Sequence, residues 1–401
     1  MEPRSQPVEA ALDPLSDRTR LIAAATRRGG GRRPVNPPIE RASTLLSDAV
    51  GDMRDASLGP LYGIDGTASQ DALRRVVADL EGAQACWLAP SGLAAVTLPL
   101  MALTRPGDEV LTTDAVYGPV RRFLTRHLAA RGITARFHPA GESAEDVAAM
   151  ITDRTRVVLI ESPGSLTFEM IDVPALAAAA KSRGALTVMD NTWAAGLAFR
   201  PLAHGVDVSV QALTKYAGGH SDLMLGAACA NDPDVIRAIA DTYEDIGLCV
   251  SPDDAWLALR GLRTLPLRYG EQARSMRQVA DWLASRPEIL RVLHPALPDD
   301  PGHALWARDF SGAASLFGVV MQGGDGRAAH AFLDALSLFG LGYSWGGFES
   351  LITYETPQMA FREAPPVLEG PLLRLHVGLE DPTELIADLE VGLAAWRAAL
   401  G

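Results

Sequence analysis

The chain is short of lysine. Its 401 residues include 36 basic side chains, and of these Lys181 and Lys215 alone are lysines. Lys181 lies in the last turn of an alanine-rich segment, 174–183, which is predicted to be a helix. The negative end of the helix dipole favours a cation there. Lys215 has no such explanation, since it follows a predicted strand and precedes the pair Gly218–Gly219, which permits close approach to the backbone. Lys215 is therefore a candidate functional amine.

Cysteine and long apolar runs are also scarce. Cys86, Cys229 and Cys249 are odd in number and lack metal-ligand spacing, which predicts reduced, buried thiols and no metal site. The first twenty residues contain acids and prolines but no apolar signal core, so we expect a cytoplasmic protein. The apolar run 93–103 is too short to cross a bilayer and is expected to form a buried helix.

Positive charge is outweighed by negative charge. The 49 acidic and 36 basic residues give a formal net charge of −13, which argues against nucleic acid or an anionic membrane as the main partner. A small-molecule substrate is the better expectation. The length supports two or three domains with a sizeable core.

What the chain does contain is an alternation of strand and helix patterns. This alternation predicts an α/β protein with a mainly parallel sheet covered on both faces, followed by a smaller α/β domain. The predicted strands of the larger part are 85–89, 109–113, 133–138, 155–161, 186–189 and 206–213. The predicted strands of the smaller part are 316–321 and 372–377.

Two of these strands are followed by residues whose side chains can take part in catalysis. Asp190 follows the strand 186–189, and Lys215 follows the strand 206–213. Open α/β sheets bind ligands at the carboxyl ends of their strands. A lysine there can form a Schiff base with an aldehyde cofactor, and the carboxylate can hold a pyridinium nitrogen protonated. The alternative is that Asp190 and Lys215 form a structural ion pair.

Three further positions are ambiguous from the residues alone. Gly92 lies between a strand and an apolar helix, which is a weak indication of a phosphate site at the helix N-terminus. Tyr117 is either a solvated turn residue or an aromatic ring against a flat ligand. Arg374 lies on a short apolar strand and needs an anion, which is either a structural carboxylate or a substrate. The glycines 29–31 lack the strand and the lysine of a nucleotide loop.

Several ordered motifs together resemble a known family. They are Asp190–Gly196, Thr214–Tyr216, Gly219–Asp222, Pro163–Ser165, Arg260–Leu265, Tyr343–Gly347 and Arg374–Asp381. These motifs cover nearly the whole chain and resemble the pyridoxal-phosphate (PLP)-dependent enzymes of Cys/Met metabolism. Within that family the resemblance is strongest to the carbon–sulfur β-lyases that cleave cystathionine.

The resemblance implies an architecture. The expected fold is the aspartate-aminotransferase-like fold type I, with a large PLP-binding domain over 66–264 and a small domain over 265–401. Residues 1–65 are expected to be an extended arm that reaches the neighbouring subunit. The family is usually a tetramer built from active-site dimers, so a homo-oligomer is expected, with no nucleic acid or membrane partner.

The resemblance also implies roles for particular residues. The expected catalytic residues are Lys215, Tyr117 and Asp190. The expected cofactor-binding residues are Lys215, Asp190, Tyr117, Gly92, Leu93, Thr214 and Tyr62. The expected substrate-binding residues are Arg374, Ser344, Trp345 and Tyr117. In this scheme Lys215 holds the cofactor and removes the α-proton, while Arg374 clamps the substrate α-carboxylate.

One position departs from the family pattern. Ile64 stands where relatives have an arginine that, with the tyrosine at Tyr62, binds the cofactor phosphate across the dimer interface. We therefore expect weaker cofactor retention, or another cation such as Arg54 in its place. By the same resemblance, Trp345 in the sequence Ser-Trp-Gly-Gly favours the β-lyase branch of the family. That branch implies cleavage of L-cystathionine to homocysteine, pyruvate and ammonia, with cystine or other S-substituted cysteines as further substrates. The alternatives are γ-lyase or γ-synthase chemistry, and a cofactor-binding protein of reduced activity.

Overall fold

A computed structural model describes residues 16–24, 32 and 34–401. The helices are α1 Asp17–Ala24, α2 Ala68–Glu81, α3 Gly92–Leu103, α4 Gly118–Arg122, α5 Ala144–Ala149, α6 Val173–Ser182, α7 Pro233–Asp245, α8 Pro252–Leu262, α9 Leu265–Ala284, α10 His303–Asp309, α11 Gly326–Asp334 and α12 Pro382–Leu400. The strands are β1 Ala85–Ala89, β2 Glu109–Thr113, β3 Thr134–His138, β4 Thr155–Glu161, β5 Leu186–Asp190, β6 Val208–Gln211, β7 Gly226–Ala230, β8 Ile289–Leu293, β9 Leu316–Met321, β10 Gly340–Leu341, β11 Leu351–Tyr354 and β12 Leu372–His376.

The larger sheet has seven strands in the order β1-β7-β6-β5-β4-β2-β3. Neighbouring strands from β6 to β3 run parallel, and β7 runs antiparallel to both β1 and β6. The prediction of a mainly parallel sheet is therefore confirmed. Because β6, β5, β4 and β2 are parallel, their carboxyl ends meet at one edge of the sheet.

Apolar side chains leave this sheet on both faces, as the strand pattern predicts. Leu111, Val158 and Met189 enter one buried cluster, whereas Val110, Val157 and Val188 enter another. Helices α2 and α6 cover the first face, and α3 and α7 cover the second. A sheet buried on both faces is rigid, so the positions of its strand ends are well defined.

The second sheet, in the order β10-β11-β12-β9-β8, lies in the C-terminal part of the chain. Its core is formed with α9, α11 and α12. Helix α9 begins at Leu265, directly after its N-terminal flanking residue Thr264. We propose that the boundary between the large and small domains lies here, between 264 and 265.

The N-terminal segment differs from the predicted extended arm. Asp17–Ala24 is helical, and Leu21 is buried in the same cluster as Leu73 of α2. Asp17 pairs with both Arg20 and Arg200, which fixes α1 to its own chain. The sequence pattern did not predict this helix because a single buried leucine in eight residues gives no periodic signal. That the segment reaches a neighbouring subunit stays a prediction. The glycines 29–31 lie outside the described residues.

The cysteines are free, but two of them are neighbours in space. Cys86 and Cys229 are directly opposite each other on β1 and β7, and Cys249 is exposed rather than buried as expected. A hydrogen bond between the two thiols, together with burial, raises the pKa of Cys229 well above its ordinary value. In the described part of the chain, no helix is long and apolar enough to span a bilayer.

Candidate active site

The site is built where β5 and β6 end. Asp190 is the last residue of β5 and pairs in register with Val210 of the parallel strand β6. Lys215 follows β6 after one turn, in which its amide donates to the Ala212 carbonyl over 3.1 Å. The chain thus brings the carboxylate and the amine to the same edge of the sheet, as predicted from the sequence.

Lys215 is partly buried and faces the small domain. Its Nζ donates a hydrogen bond to Ser344 Oγ over 2.8 Å and lies 5.3 Å from the centre of the Trp345 ring. Burial and the positive charge of Arg374 lower the pKa of Lys215 to about 8, against the opposing effect of Asp190. A substantial neutral fraction near neutral pH is what a nucleophile or general base requires.

This pKa gives a direct prediction, because the unfolded protein provides a reference for the same side chain. Burial lowers the pKa of Lys215 to about 8, so its neutral amine is available at a lower pH than that of an ordinary lysine, whose pKa is about 10.4. We expect acylation of Lys215 to rise around pH 8 in the folded, cofactor-free, full-length protein and at higher pH when the same protein is unfolded in urea. Peptide mass spectrometry follows the peptide that contains Lys215. Coincident pH profiles for the folded and unfolded protein would contradict the burial argument.

In the described part of the chain, Asp190 has one carboxylate oxygen, Oδ2, without a hydrogen-bond partner. Thr192 donates to Asp190 Oδ1 from both its amide, over 3.0 Å, and its hydroxyl, over 2.5 Å. Burial raises the pKa of Asp190, while Thr192 and the charge of Lys215 oppose that rise. Among the described residues, Asp190 and Lys215 form no direct ion pair. The alternative that these two residues form a structural ion pair is therefore not supported by a contact between them. Oδ2 is left for another donor.

Tyr117 and Glu161 form the wall beside Asp190. The Tyr117 amide donates to Glu161 Oε2 over 2.7 Å, and Glu161 is in register with Asp190 on adjacent strands. Burial and the neighbouring Asp190 raise the pKa of Glu161 well above its ordinary value. The Tyr117 ring remains 44% exposed, and burial with the charges of Glu161 and Asp190 raises the pKa of its hydroxyl. A half-exposed ring beside a carboxylate is available to a flat ligand.

Arg374 lies on β12 and opposes Thr353 of β11. Its Nε is 3.5 Å from Oε1 of Glu355, a carboxylate that is fully buried. Burial lowers the pKa of Arg374, and the charges of Glu355 and Tyr117 oppose this. Glu355 is thus the structural partner that the first alternative predicted. Among the described residues the terminal nitrogens of the guanidinium have no hydrogen-bond partner, so they could also bind a ligand anion.

The candidate phosphate end lies at the start of α3. The first amides of a helix, here those of Gly92 and Leu93, have no acceptor within the helix. A Cβ at Gly92 would lie 2.4 Å from the Ala212 Cβ, so a side chain there would push α3 away from the lysine turn. The Thr214 hydroxyl donates to the Leu225 carbonyl over 3.0 Å, so it must turn before it can donate to a phosphate.

Tyr62 and Ile64 lie apart from this cluster. The Tyr62 backbone pairs with Thr44, its amide donates to Asp65, and its ring is 55% exposed. Ile64 is 40% exposed on the same short turn. Within one chain the structure therefore does not bring Tyr62 to Lys215.

These residues fit PLP. A primary amine with a lowered pKa matches the cofactor aldehyde, the free Asp190 Oδ2 matches its protonated ring nitrogen, and helix amides match its phosphate. Sequence reasoning gave no role to Glu161 and Glu355. Glu161 could have been found as the last residue of a predicted strand, whereas Glu355 follows a strand with no clear sequence signal. The fold and this set of groups define a PLP-dependent enzyme of fold type I.

Comparison with known proteins agrees with this class. The model of the family described as Cys/Met metabolism PLP-dependent enzyme matches residues 18–394, and the chain belongs to that family. The cystathionine beta-lyase of Bordetella avium is 44% identical over 371 residues, covering 90% of this chain and 93% of that protein. Cystathionine beta-lyase MetC of Escherichia coli strain K12 is 41% identical, covering 94% and 98%.

A solved structure shows the same fold. It is cystathionine gamma synthase from Xanthomonas oryzae pv. oryzae in complex with aminoacrylate and cysteine. It superposes with a TM-score of 0.89 at 31% identity and covers 96% of this chain and 100% of that chain. The sequence-based assignments of family, fold and cofactor are confirmed.

Proposed function

We propose that this protein is a PLP-dependent carbon–sulfur β-lyase that cleaves L-cystathionine to homocysteine, pyruvate and ammonia. The observation that carries the proposal is one amine, Lys215, lying within electrostatic reach of a carboxylate, Asp190, and a guanidinium, Arg374. These three groups supply proton transfer, cofactor activation and carboxylate binding. The similarity to cystathionine beta-lyases over more than nine-tenths of the chain supports the choice of substrate.

The residues divide the work as follows. Arg374 binds the substrate α-carboxylate and orients the amino acid, while Glu355 holds the guanidinium from behind. Lys215 removes the α-proton, and its pKa of about 8 makes both its neutral and its protonated forms accessible. Asp190 would accept a hydrogen bond from the protonated ring nitrogen of bound PLP. PLP, when bound, supplies an electron sink for the pair of electrons left at the α-carbon.

The outcome then depends on which bond breaks. Loss of the thiolate of homocysteine from the β-carbon, with a proton returned to sulfur, gives pyruvate and ammonia after hydrolysis. The Trp345 ring centre lies 5.3 Å from the Lys215 Nζ, so this ring is next to the reacting amine. The test is the oxo-acid released from L-cystathionine by the protein with excess PLP. Pyruvate with homocysteine supports the proposal, whereas oxobutyrate with cysteine would assign γ-elimination, and no product would support the cofactor-binding alternative.

The exposed apolar residues of the N-terminal segment support a proposal for the assembly. Leu46, Val50 and Met53 are 95%, 86% and 61% exposed, which is unusual for apolar side chains unless another surface covers them. We propose that 34–65 packs on a second copy of the chain, that Tyr62 reaches the partner's phosphate site, and that two such dimers form a tetramer. We further propose that the protein acts in the cytoplasm.

A substitution at Ile64 tests this arrangement. If the 61–65 turn lies at the partner's phosphate, Ile64→Arg adds a charge-assisted contact of about 1.5–3 kcal/mol. We expect the dissociation constant for PLP to fall by about tenfold to a hundredfold, measured by titrating cofactor-free protein. Leu61→Arg, at an exposed site on the same turn, is the matched control and should leave PLP affinity unchanged. An unchanged constant for Ile64→Arg would place the turn elsewhere.

A further inference from the structure

The residues Ser344, Trp345, Gly346 and Gly347, here called the 344–347 turn, hold an unusual conformation against Lys215. Ser344 has φ +110°, which side-chain-bearing residues rarely adopt, and Gly346 has φ +83°. A Cβ at Gly346 would lie 2.6 Å from the Tyr216 nitrogen, so the turn packs directly on the peptide that follows Lys215. Such strain persists where the surroundings fix it.

A buried chain of hydrogen bonds supplies that fixation. The Tyr216 hydroxyl lies 3.1 Å from Ser315 Oγ and also accepts from the Ser315 amide over 2.8 Å. Ser315 Oγ lies 3.1 Å from His376 Nδ1. The network therefore begins on the residue next to Lys215 and ends on β12, two positions after Arg374.

The other side of the imidazole holds the turn. His376 Nε2 lies 3.1 Å from the Gly346 nitrogen and 3.2 Å from the Gly347 oxygen. An unprotonated Nε2 accepts from the Gly346 amide, and a protonated Nε2 donates to the Gly347 carbonyl, so either tautomer bonds to the turn. Gln272 adds a second anchor, donating to the Gly347 carbonyl over 2.5 Å.

The histidine is neutral and fully enclosed. His376 is 1% exposed, and burial lowers its pKa to about 4. The hydrogen bond to Gly347 opposes this shift, whereas the positive charges of Arg374 and Lys215 add to it. A buried polar network is costly unless each member is satisfied, and this one bridges the two sheets of the molecule at the active lysine. An apolar residue at 376 would have filled the same space without this cost.

We infer that His376 is a positioning residue whose hydrogen bonds to the 344–347 turn keep Ser344 Oγ at hydrogen-bond distance from Lys215 Nζ. Its effect on the reaction is indirect, because the contact with Lys215 is made by Ser344. The inference rests on the proposed function only in taking Lys215 as the reacting amine.

The geometry of amide side chains gives a sharp test. In His376→Gln the terminal amide can occupy the place of Nε2 and bond to both Gly346 and Gly347. In His376→Asn it reaches only the place of Nδ1, which keeps the longer 3.4 Å contact with the Gly346 nitrogen and loses the bond to the Gly347 carbonyl. His376→Phe keeps the ring and loses both bonds. Each holoenzyme variant is titrated with pH while the absorbance of the bound cofactor reports protonation of the nitrogen that joins it to Lys215.

We expect the titration midpoint to change in His376→Asn and to stay at the parent value in His376→Gln. Ser344 Oγ accepts from protonated Nζ, so its displacement disfavours the proton, and the midpoint should fall by about half a pH unit or more in His376→Asn and His376→Phe. His376→Gln should titrate like the parent. In His376→Asn and His376→Phe, kcat for pyruvate release should also fall by about tenfold, and KM should change by less than about threefold.

A second buried histidine serves as the matched control. His294 also has a pKa lowered to about 4 by burial, but its ring bonds to Ala314 and Ala296. His294→Asn should leave the midpoint at the parent value even if melting falls. An equal shift in His294→Asn, or parent-like titration of His376→Asn and His376→Phe, would overturn the inference. Absence of pyruvate from the parent enzyme would instead reject the proposed function, because the absorbance midpoints need no substrate.

Discussion

Replacing Lys215 by alanine is expected to lower kcat for pyruvate release from L-cystathionine by at least about 10³-fold. A positioned general base contributes about 10²–10⁴-fold by itself, and this lysine is also the proposed covalent attachment of the cofactor. Within the described ranges the side chain makes one hydrogen bond, to Ser344, so its removal leaves little of the fold unsupported. The measurement is a steady-state assay of pyruvate with PLP in excess.

The matched control is the other lysine of the chain. Lys181 is exposed on α6, and Lys181→Ala should retain full activity. Turnover by Lys215→Ala at the rate of the parent protein would exclude Lys215 as the proton-transfer group. Loss of activity in both variants would point to a general effect of removing lysine instead.

Replacing Arg374 by alanine is expected to lower kcat/KM by about 10²–10⁴-fold. Two charge-assisted hydrogen bonds to a carboxylate are worth about 1.5–3 kcal/mol each, and they are lost together. The substitution also leaves buried Glu355 without its cation, so some loss of thermal stability is expected as well. Arg374→Lys retains a charge but not the planar fork, so its kcat/KM should remain at least about tenfold below that of the parent.

Arg237→Ala provides the comparison for this series. Arg237 is exposed, with 70% of its side-chain surface accessible, and pairs with Asp234 at a distance from the cleft. Its loss should leave both kcat and KM at the parent values. If Arg374→Ala bound substrate as tightly as the parent, the carboxylate clamp would have to be assigned to another cation.

The larger sheet could be predicted from the sequence because its strands carry strong local signals. The strand 155–161 was expected with the bounds that β4 has, since four apolar residues in a row lie between turn-forming segments. In contrast, β7 was missed. Its residues, Gly226–Ala230, are small and lack β-branched side chains, and the strand exists because it fills the space between β1 and β6.

The candidate site likewise contains residues that could be predicted from the sequence and residues that could not. Asp190 and Lys215 were found because each follows a strand, and strand ends of a parallel sheet converge. Glu355 and His376 were missed because their partners, Arg374 and the 344–347 turn, meet them only through tertiary packing. Nothing in the local sequence indicates that a histidine at the end of a short strand, directly after Leu375, will bond to a turn about thirty residues earlier.

The central claim is that Lys215 is the residue to which the cofactor is bound. Borohydride reduction of the PLP-loaded protein, followed by digestion and peptide mass spectrometry, tests it directly, since the chain offers Lys181 and Lys215 as its lysines. We expect a phosphopyridoxyl group on the peptide containing Lys215 and an unmodified Lys181. A label on Lys181, or a protein that binds PLP without a reducible bond to Lys215, would exclude Lys215 as the attachment site of the cofactor.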